Sequence, residues 1–281
     1  MILTMVILVK NEIDIIEKNI HFHAKNGVDN FVIMDNNSTD GTRELLEELK
    51  KKYEITIIEE KGVYSQAKWM TKLAHITKKI YNSTWVIPND ADEFWIPKKN
   101  NLKESLPLNG AVLTINRYNR LLYENIKSVF ESEYKIVNPV LYNKETQLND
   151  KKICMQLVKI SPKVIINPKG LLWIRGGNHK ALHLLNFKDY FKKYEKIKRY
   201  KKIEVNHFPI RSFEQFKKNI ENRVKLLKQK ASMGPHYKRW VKLYKEGKLE
   251  EEYFENILIK QKDLNTLENV GIIRKDKKVN L

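Results

Sequence analysis

The first 95 residues alternate apolar runs with amphipathic stretches, and this alternation limits the fold more than any other feature. Residues 2–9 (ILTMVILV) form an unbroken apolar run, as expected of a strand covered on both faces. Ile13, Ile16, Ile20 and His23 then recur at helical spacing from Glu12 to about Ala24. FVIMD (31–35) is a second buried strand. Asn36 to Gly41 is a turn rich in capping residues, and a charged helix over 42–52 follows, with Leu45, Leu46 and Leu49 inward. ITIIEE (55–60), a helix over 66–80 and WVIPND (85–90) complete a βαβαβαβ series. Such a series predicts an α/β fold of three layers with a mostly parallel central sheet. AVLTIN and KVIINP, within 111–168, predict strands that extend the sheet in mixed sense.

In an open parallel sheet, ligands bind beyond the carboxyl ends of the strands. Three polar clusters fall there: Lys10-Asn11-Glu12, Asp35 to Asp40, and Asp90-Ala91-Asp92-Glu93. Side chains two apart on an extended segment point the same way. Asp90 and Asp92 would therefore repel each other unless a cation lay between them. Oxygen ligands without a thiolate suit Mg²⁺ or Mn²⁺, which also bridge substrate phosphates. The pair predicts a metal–diphosphate site; a capped turn is the plainer alternative.

The 281 residues, 42% hydrophobic, suffice for a large core and exclude wholesale disorder. One cysteine, Cys154, excludes an internal disulfide and a multi-cysteine zinc site. No apolar run approaches the roughly 20 residues of a spanning helix, and MILTMVILV lacks the basic start and cleavage site of a leader. The expected location is therefore cytoplasmic. The net charge of +19 is uneven, because residues 188–245 carry 19 basic and 5 acidic residues. That block is either a solvated lysine surface or a face for an anionic partner. Ser212 and Gln215 form a capping box ahead of a helix whose stripe is Phe213, Phe216, Ile220, Val224 and Leu227; the stripe is expected to pack on the core.

The ordered set Lys10-Asn11-Glu12, Asp35-Asn36-Asn37-Ser38-Thr39-Asp40-Gly41-Thr42 and Asp90-Ala91-Asp92-Glu93-Phe94 resembles the nucleotide-diphospho-sugar glycosyltransferases of the GT-A fold. Within them it is most similar to a family-2-like branch. The resemblance is strong over residues 1–100, and weak through Gly176-Gly177-Asn178-His179 and His207-Phe208-Pro209. It implies a GT-A-like catalytic domain over 1–185 and a basic helical region over 186–281 on the acceptor or membrane side. It also implies that Asn11, Glu12, Asp35, Ser38, Asp40, Gln66 and Asp90 bind the donor. Asp90, Asp92 and His179 would hold Mn²⁺ or Mg²⁺, with His207 as runner-up. Glu93 would brace the motif.

The implied activity is hexosyl transfer, of inverting type, from a nucleotide-diphosphate-sugar, UDP favoured. The acceptor would be a hydroxyl on a glycan or lipid-linked glycan, as in lipopolysaccharide or capsule synthesis, with peripheral contact at an acidic inner membrane surface. The base would come from Glu124, Glu131, Glu133, Glu145 or Asp150, among which the sequence does not choose. Two alternatives stand beside this reading. A nucleotidyltransferase calls for a glycine-rich basic loop after the first strand, and Lys10-Asn11-Glu12 is not one. A nucleic-acid binder gains support from Tyr190, Phe191, Tyr194 and Tyr200 among lysines, but the acidic rim argues against nucleic acid in the main cleft.

Overall fold

The computed structural model describes residues 1–62, 64–143, 145, 148, 154–228 and 234–279. These fall into two units. The first is Met1–Arg117 with Ser161–Asn206; the second is Tyr118–Ile160 with His207 onward. The division thus falls after residues 117, 160 and 206, whereas the sequence reading placed one boundary after 185.

The first unit is built on strands β1 (Leu3–Val9), β2 (Asn30–Asp35), β3 (Ile55–Glu59), β4 (Trp85–Asn89), β5 (Glu93–Pro97), β6 (Val112–Ile115), β9 (Lys163–Ile166), β10 (Leu171–Ile174) and β11 (Ala181–His183). Between β6 and β9 the chain forms β7 (Arg117–Asn119) and β8 (Tyr134–Ile136); later it forms β12 (Ile203–His207) and β13 (Ile273–Lys275). The main sheet has the order β3-β2-β1-β4-β9-β6. β1 pairs in parallel with β2 and β4, and β2 with β3, while β9 runs antiparallel to β4 and β6. The α/β class and the mixed extension are as the sequence predicts.

The helices are α1 (Ile16–Lys25), α2 (Thr42–Leu49), α3 (Gln66–Tyr81) and the short α4 (Leu102–Ser105). Right-handed crossovers that step β1 to β2 to β3 and then return to β4 put α1 and α2 on one face and α3 on the other. The α3 layer is observed: Trp69, Met70, Leu73 and Ala74 pack on Val6, Val32, Met34, Val86, Val164 and Ile166. α1 begins at Ile16, later than the periodicity suggests. Asn11 takes a left-handed conformation, and the Glu12 carbonyl accepts the N–H groups of Ile15 and Ile16, so a tight turn replaces the first helical turn.

The second unit holds α5 (Phe213–Lys228), α6 (Pro235–Lys245), α7 (Leu249–Glu252) and α8 (Leu264–Asn269). One core gathers Leu121, Tyr134, Ile136, Leu157, Ile259, Leu264 and Ile273 around the β8–β13 pair. The stripe of α5 is buried at Phe216 and Ile220 and half-buried at Phe213, Val224 and Leu227. Phe216 meets Trp240 edge-on at 4.9 Å, and Phe213 lies 5.4 Å from Tyr253. The Ser212 hydroxyl accepts the Gln215 N–H (3.1 Å), which realises the predicted cap. Among the described residues, no helix is long and apolar enough to cross a membrane.

Candidate active site

The register aligns Val9 with Asp35 and Asp35 with Glu59, so the predicted polar clusters do reach one rim of the sheet. At the end of β2 the loop is laced to the segment after β1. Asn11 donates its N–H to Ser38 Oγ (3.0 Å), and its Oδ1 accepts the Thr39 N–H (2.8 Å). Ser38 donates from Oγ (2.5 Å) and N (3.2 Å) to Asp35 Oδ1. Asp40 Oδ1 accepts the Thr42 hydroxyl (2.5 Å) and N–H (3.0 Å) at the start of α2, and Thr42 Oγ1 accepts the Glu12 N–H (2.9 Å). Gly41 has φ +93°, and a Cβ there would stand 2.8 Å from Ile13 Cδ1. The left-handed geometry favours glycine at this turn. Asp35 is buried, and among the described residues no hydrogen bond is made to its Oδ2. Asn11, Glu12, Asp35, Ser38 and Asp40 therefore form one loop pair, with Ser38 and Asp40 acting as its internal braces.

The end of β4 is different. Asp90 Oδ2 accepts from the Lys163 ammonium at 2.5 Å, and the same ammonium lies 3.0 Å from Glu93 Oε1. Arg117 Nη1 reaches Glu93 Oε1 at 2.7 Å. Asp90 Oδ1 accepts from Asn178 Nδ2 (3.1 Å) and Gln66 Nε2 (3.3 Å), and Gln66 Oε1 accepts the Gly177 N–H (2.8 Å). Lys163 and Glu93 are fully buried. Burial raises the Asp90 pKa; Lys163 opposes the rise, and Glu93 and Asp92 add to it. Asn19 on α1 donates to the carbonyls of Ala91 (2.8 Å) and Glu93 (2.9 Å) and so holds the turn. Asn89, which departs from the apolar or acidic residue common in the resembling motif, joins Asn19 Oδ1 to Trp95 Nε1 and is structural.

Gln66, Asp90 and Glu93 thus meet in one network, and the loop before β11 joins it through Asn178. His179 sits on that loop. Its Nδ1 lies 2.9 Å from the Pro162 carbonyl, so Nδ1–H donates and Nε2 keeps its lone pair. Burial first, then Lys163 and Arg117, push its pKa down to about 3, so the ring is neutral. Nε2 faces the loop's own backbone, because a Cβ on Gly177 would stand 2.4 Å from it. His207 belongs to the second unit, where its Nδ1 lies 2.7 Å from Asn119 Oδ1.

For a divalent ion, the fit is uneven. Both Asp90 oxygens already receive protein donors, one of them a buried ammonium. Asp92 lies half-buried in the same turn, and Asn178 Oδ1 is buried without a hydrogen-bond partner. These are hard oxygens of the kind Mg²⁺ or Mn²⁺ takes. Among the carboxylates considered for the base, Glu124, Glu131, Glu133 and Glu145 belong to the second unit. Glu124 is engaged by Lys260 (3.2 Å) and the Gln261 N–H (3.1 Å), Glu131, Glu133 and Glu145 are exposed, and Asp150 lies outside the described residues. Sequence reasoning missed Lys163, Arg117, Asn178 and Asn19. A signal existed for one of them: Lys163 opens an apolar strand, where an uncompensated lysine is rarely tolerated.

Braced carboxylates thus stand beyond the carboxyl ends of parallel strands, where open α/β sheets bind ligands. The sequence profile of Glycosyltransferase family 92 matches residues 7–243, and the chain belongs to that family. The narrower family-2-like likeness stays a resemblance of motifs. No curated relative matches the chain. Among solved structures, S. aureus TarS 1–349 in complex with UDP is similar at 16% identity and a TM-score of 0.36, over 60% of this chain and 47% of that one. The chain thus spans about half of that structure. The same fragment in complex with UDP-GlcNAc is similar at 13% identity and 0.42, over 96% and 76%. HddC from Yersinia pseudotuberculosis is similar at 12% identity and 0.32, over 67% and 86%.

Proposed function

We propose that this family 92 glycosyltransferase is a metal-dependent, GT-A-type enzyme using a nucleotide-diphosphate-sugar donor, UDP favoured, and the hydroxyl of a glycan or lipid-linked glycan. The observation that carries the reading is the convergence of the Asp35 loop and the Asp90–Glu93 turn on the carboxyl rim of the parallel strands. Asp35 Oδ2 is the acceptor for base N–H or ribose hydroxyls. Asn11, Glu12, Ser38 and Asp40 shape that pocket, and Gln66 ties Asp90 to the loop bearing Gly177. Asp92 is the principal metal carboxylate, while Asp90, committed to Lys163, orients the turn. Asn178 Oδ1 is a further oxygen donor. His179 is the imidazole ligand of this reading, with His207 as runner-up.

A divalent ion, when bound, neutralises charge growing on the leaving diphosphate. In the transfer the sugar C1–O bond to the diphosphate breaks, a new bond forms to the acceptor oxygen, and the acceptor proton passes to a carboxylate base. Inversion follows if one displacement completes the exchange. Glu124, Glu131, Glu133, Glu145 and Asp150 remain the base candidates. The reading assigns the enzyme to the cytoplasmic face of the membrane, in surface-glycan synthesis.

Calorimetric titration with UDP, GDP and CDP, each with and without Mn²⁺, tests this reading. Wild-type chain should bind one nucleotide in a metal-dependent way. Asp92→Asn should lose that dependence and drop transfer by ~1,000-fold or more, matching several kcal/mol of barrier. Absence of nucleotide binding under every condition would overturn the donor assignment.

A further inference from the structure

We infer that the segment following β11, residues 184–202 of the first unit, is a docking surface for an anionic lipid bilayer. Leu184–Phe191 forms a 3-10 stretch with no buried residue. Leu184, Leu185, Phe187 and Phe191 are 64%, 77%, 50% and 70% exposed. Phe187 and Phe191 lie 5.7 Å apart, so the apolar surface is a patch and not a scatter. On β10, paired with β11, Leu172 and Trp173 are exposed as well. Patches of this kind are seldom left to water without a partner.

The patch is held in place by specific bonds. Lys180 donates its ammonium to the carbonyls of Tyr190 (3.0 Å) and Lys192 (2.6 Å). Leu184 N–H reaches Gly170 O at 3.0 Å, and Leu185 N–H reaches His183 Nδ1 at 3.1 Å. Residues 184–202 also carry eight basic and two acidic side chains. Apolar tips with lysines around them match the acyl–headgroup boundary of an acidic membrane: the tips enter, and the ammonium groups meet the lipid phosphates. A neutral protein surface would account for the apolar tips but not for the basic excess of the same segment.

A second feature of the same segment fits lipid phosphate. A cavity of about 460 Å³ is lined by Asn186, Tyr190, Lys196, Lys198, Arg199 and Tyr200, among others. Arg199 brings its guanidinium group to the same lining as Lys196 and Lys198. A guanidinium and two ammonium groups lining one cavity are donors suited to an anionic oxygen. Asn186 and Tyr190 face the cavity while Leu185, Phe187 and Phe191 are exposed, so one segment offers both the phosphate site and the insertion surface.

As the route to a lipid-linked acceptor, this surface rests on the reading above. As a binding surface it does not, because vesicle binding needs neither donor nor acceptor. The full chain would be sedimented with phosphatidylcholine vesicles, and with vesicles containing about one-third phosphatidylglycerol. Binding should require the anionic lipid and fall steeply with added salt. Leu185→Ser/Phe191→Ser, at exposed positions, should fold normally by circular dichroism and bind ~10-fold less or weaker still. Arg199→Gln should lower the preference for phosphatidylglycerol several-fold. No binding by wild type, or equal binding by the Leu185/Phe191 variant, would overturn the surface. Displacement of vesicles by inorganic phosphate would reassign the cavity to a soluble ligand and overturn its lipid role. UDP titration on the same preparation separates loss of this surface from loss of the donor site.

Discussion

Two loops at the carboxyl rim of the same sheet reach a fixed shape by opposite means. After β2, Asp35, Ser38, Asp40 and Thr42 brace one another and Asn11 through short hydrogen bonds to hydroxyls and backbone N–H groups. After β4, Asp90 and Glu93 are set by two cations, Lys163 and Arg117, and by amides from α3 and from the loop before β11. The first loop satisfies its polar groups locally except Asp35 Oδ2, so a ligand adds at one defined acceptor. The second is a buried charge network assembled from four segments, and any ligand there joins a balance already struck.

The largest expected effect breaks that balance. Lys163→Met leaves the buried Glu93 and the half-buried Asp90 carboxylates short of their shared ammonium. Removing one partner of a buried ion pair costs about 3–5 kcal/mol. Thermal unfolding should register the whole loss, and Lys163→Arg should restore part of it while altering donor affinity. A small change in the melting temperature of Lys163→Met would mean that Arg117 alone balances the site.

The same contrast explains what could be read from the sequence. The β2 loop is written within a few residues: Asp35-Asn36-Asn37-Ser38-Thr39-Asp40-Gly41 displays its acceptors, caps and left-handed turn in order. The apolar runs of β1, β2 and β4 likewise declare a parallel core. At the β4 turn the carboxylates were visible, but their partners were not. Lys163 lies 73 residues from Asp90 and Asn178 lies 88, so no local spacing connects them. Only the antiparallel seating of β9 between β4 and β6 brings Lys163 beneath Asp90. The same distance effect hid the unit division, since 118–160 joins the segment from 207 onward through tertiary packing that no composition shift announces.

The next effect sharpens the comparison from the loop side. Asp35→Asn keeps the size of the side chain and removes the charge that Oδ2 would present to a nucleotide. A hydrogen bond to a charged group contributes about 1.5–3 kcal/mol, so UDP affinity should fall roughly 10- to 100-fold. Stability should change less than in Lys163→Met, because Ser38 can still donate to the amide oxygen. If affinity is unchanged while Lys163→Met loses nucleotide binding, the donor contacts would reside in the β4 network instead.

The smallest effect concerns protons. His179 titrates near 3 when folded and near 6.5 when unfolded, because burial and the neighbouring Lys163 and Arg117 disfavour the imidazolium. His23 behaves alike: it is fully buried, its Nε2 accepts the Trp95 N–H at 3.1 Å, and its pKa is about 3. Between those values the unfolded chain binds protons that the folded chain does not. Stability from these histidines is therefore complete above pH 6.5 and is lost as pH falls towards 3, by about 2 kcal/mol for each group at pH 5. Asp90 works in the opposite sense, since its raised folded pKa lets the native state take a proton more readily as the solution turns acid. Denaturant midpoints compared between pH 7 and pH 5 isolate the His179 share: the wild type should lose stability on acidification, and His179→Gln should lose less by the portion due to one histidine. Parallel curves would mean that the ring takes its proton in the folded state, and the lone pair on Nε2 would then be lost to a metal in the same acid range.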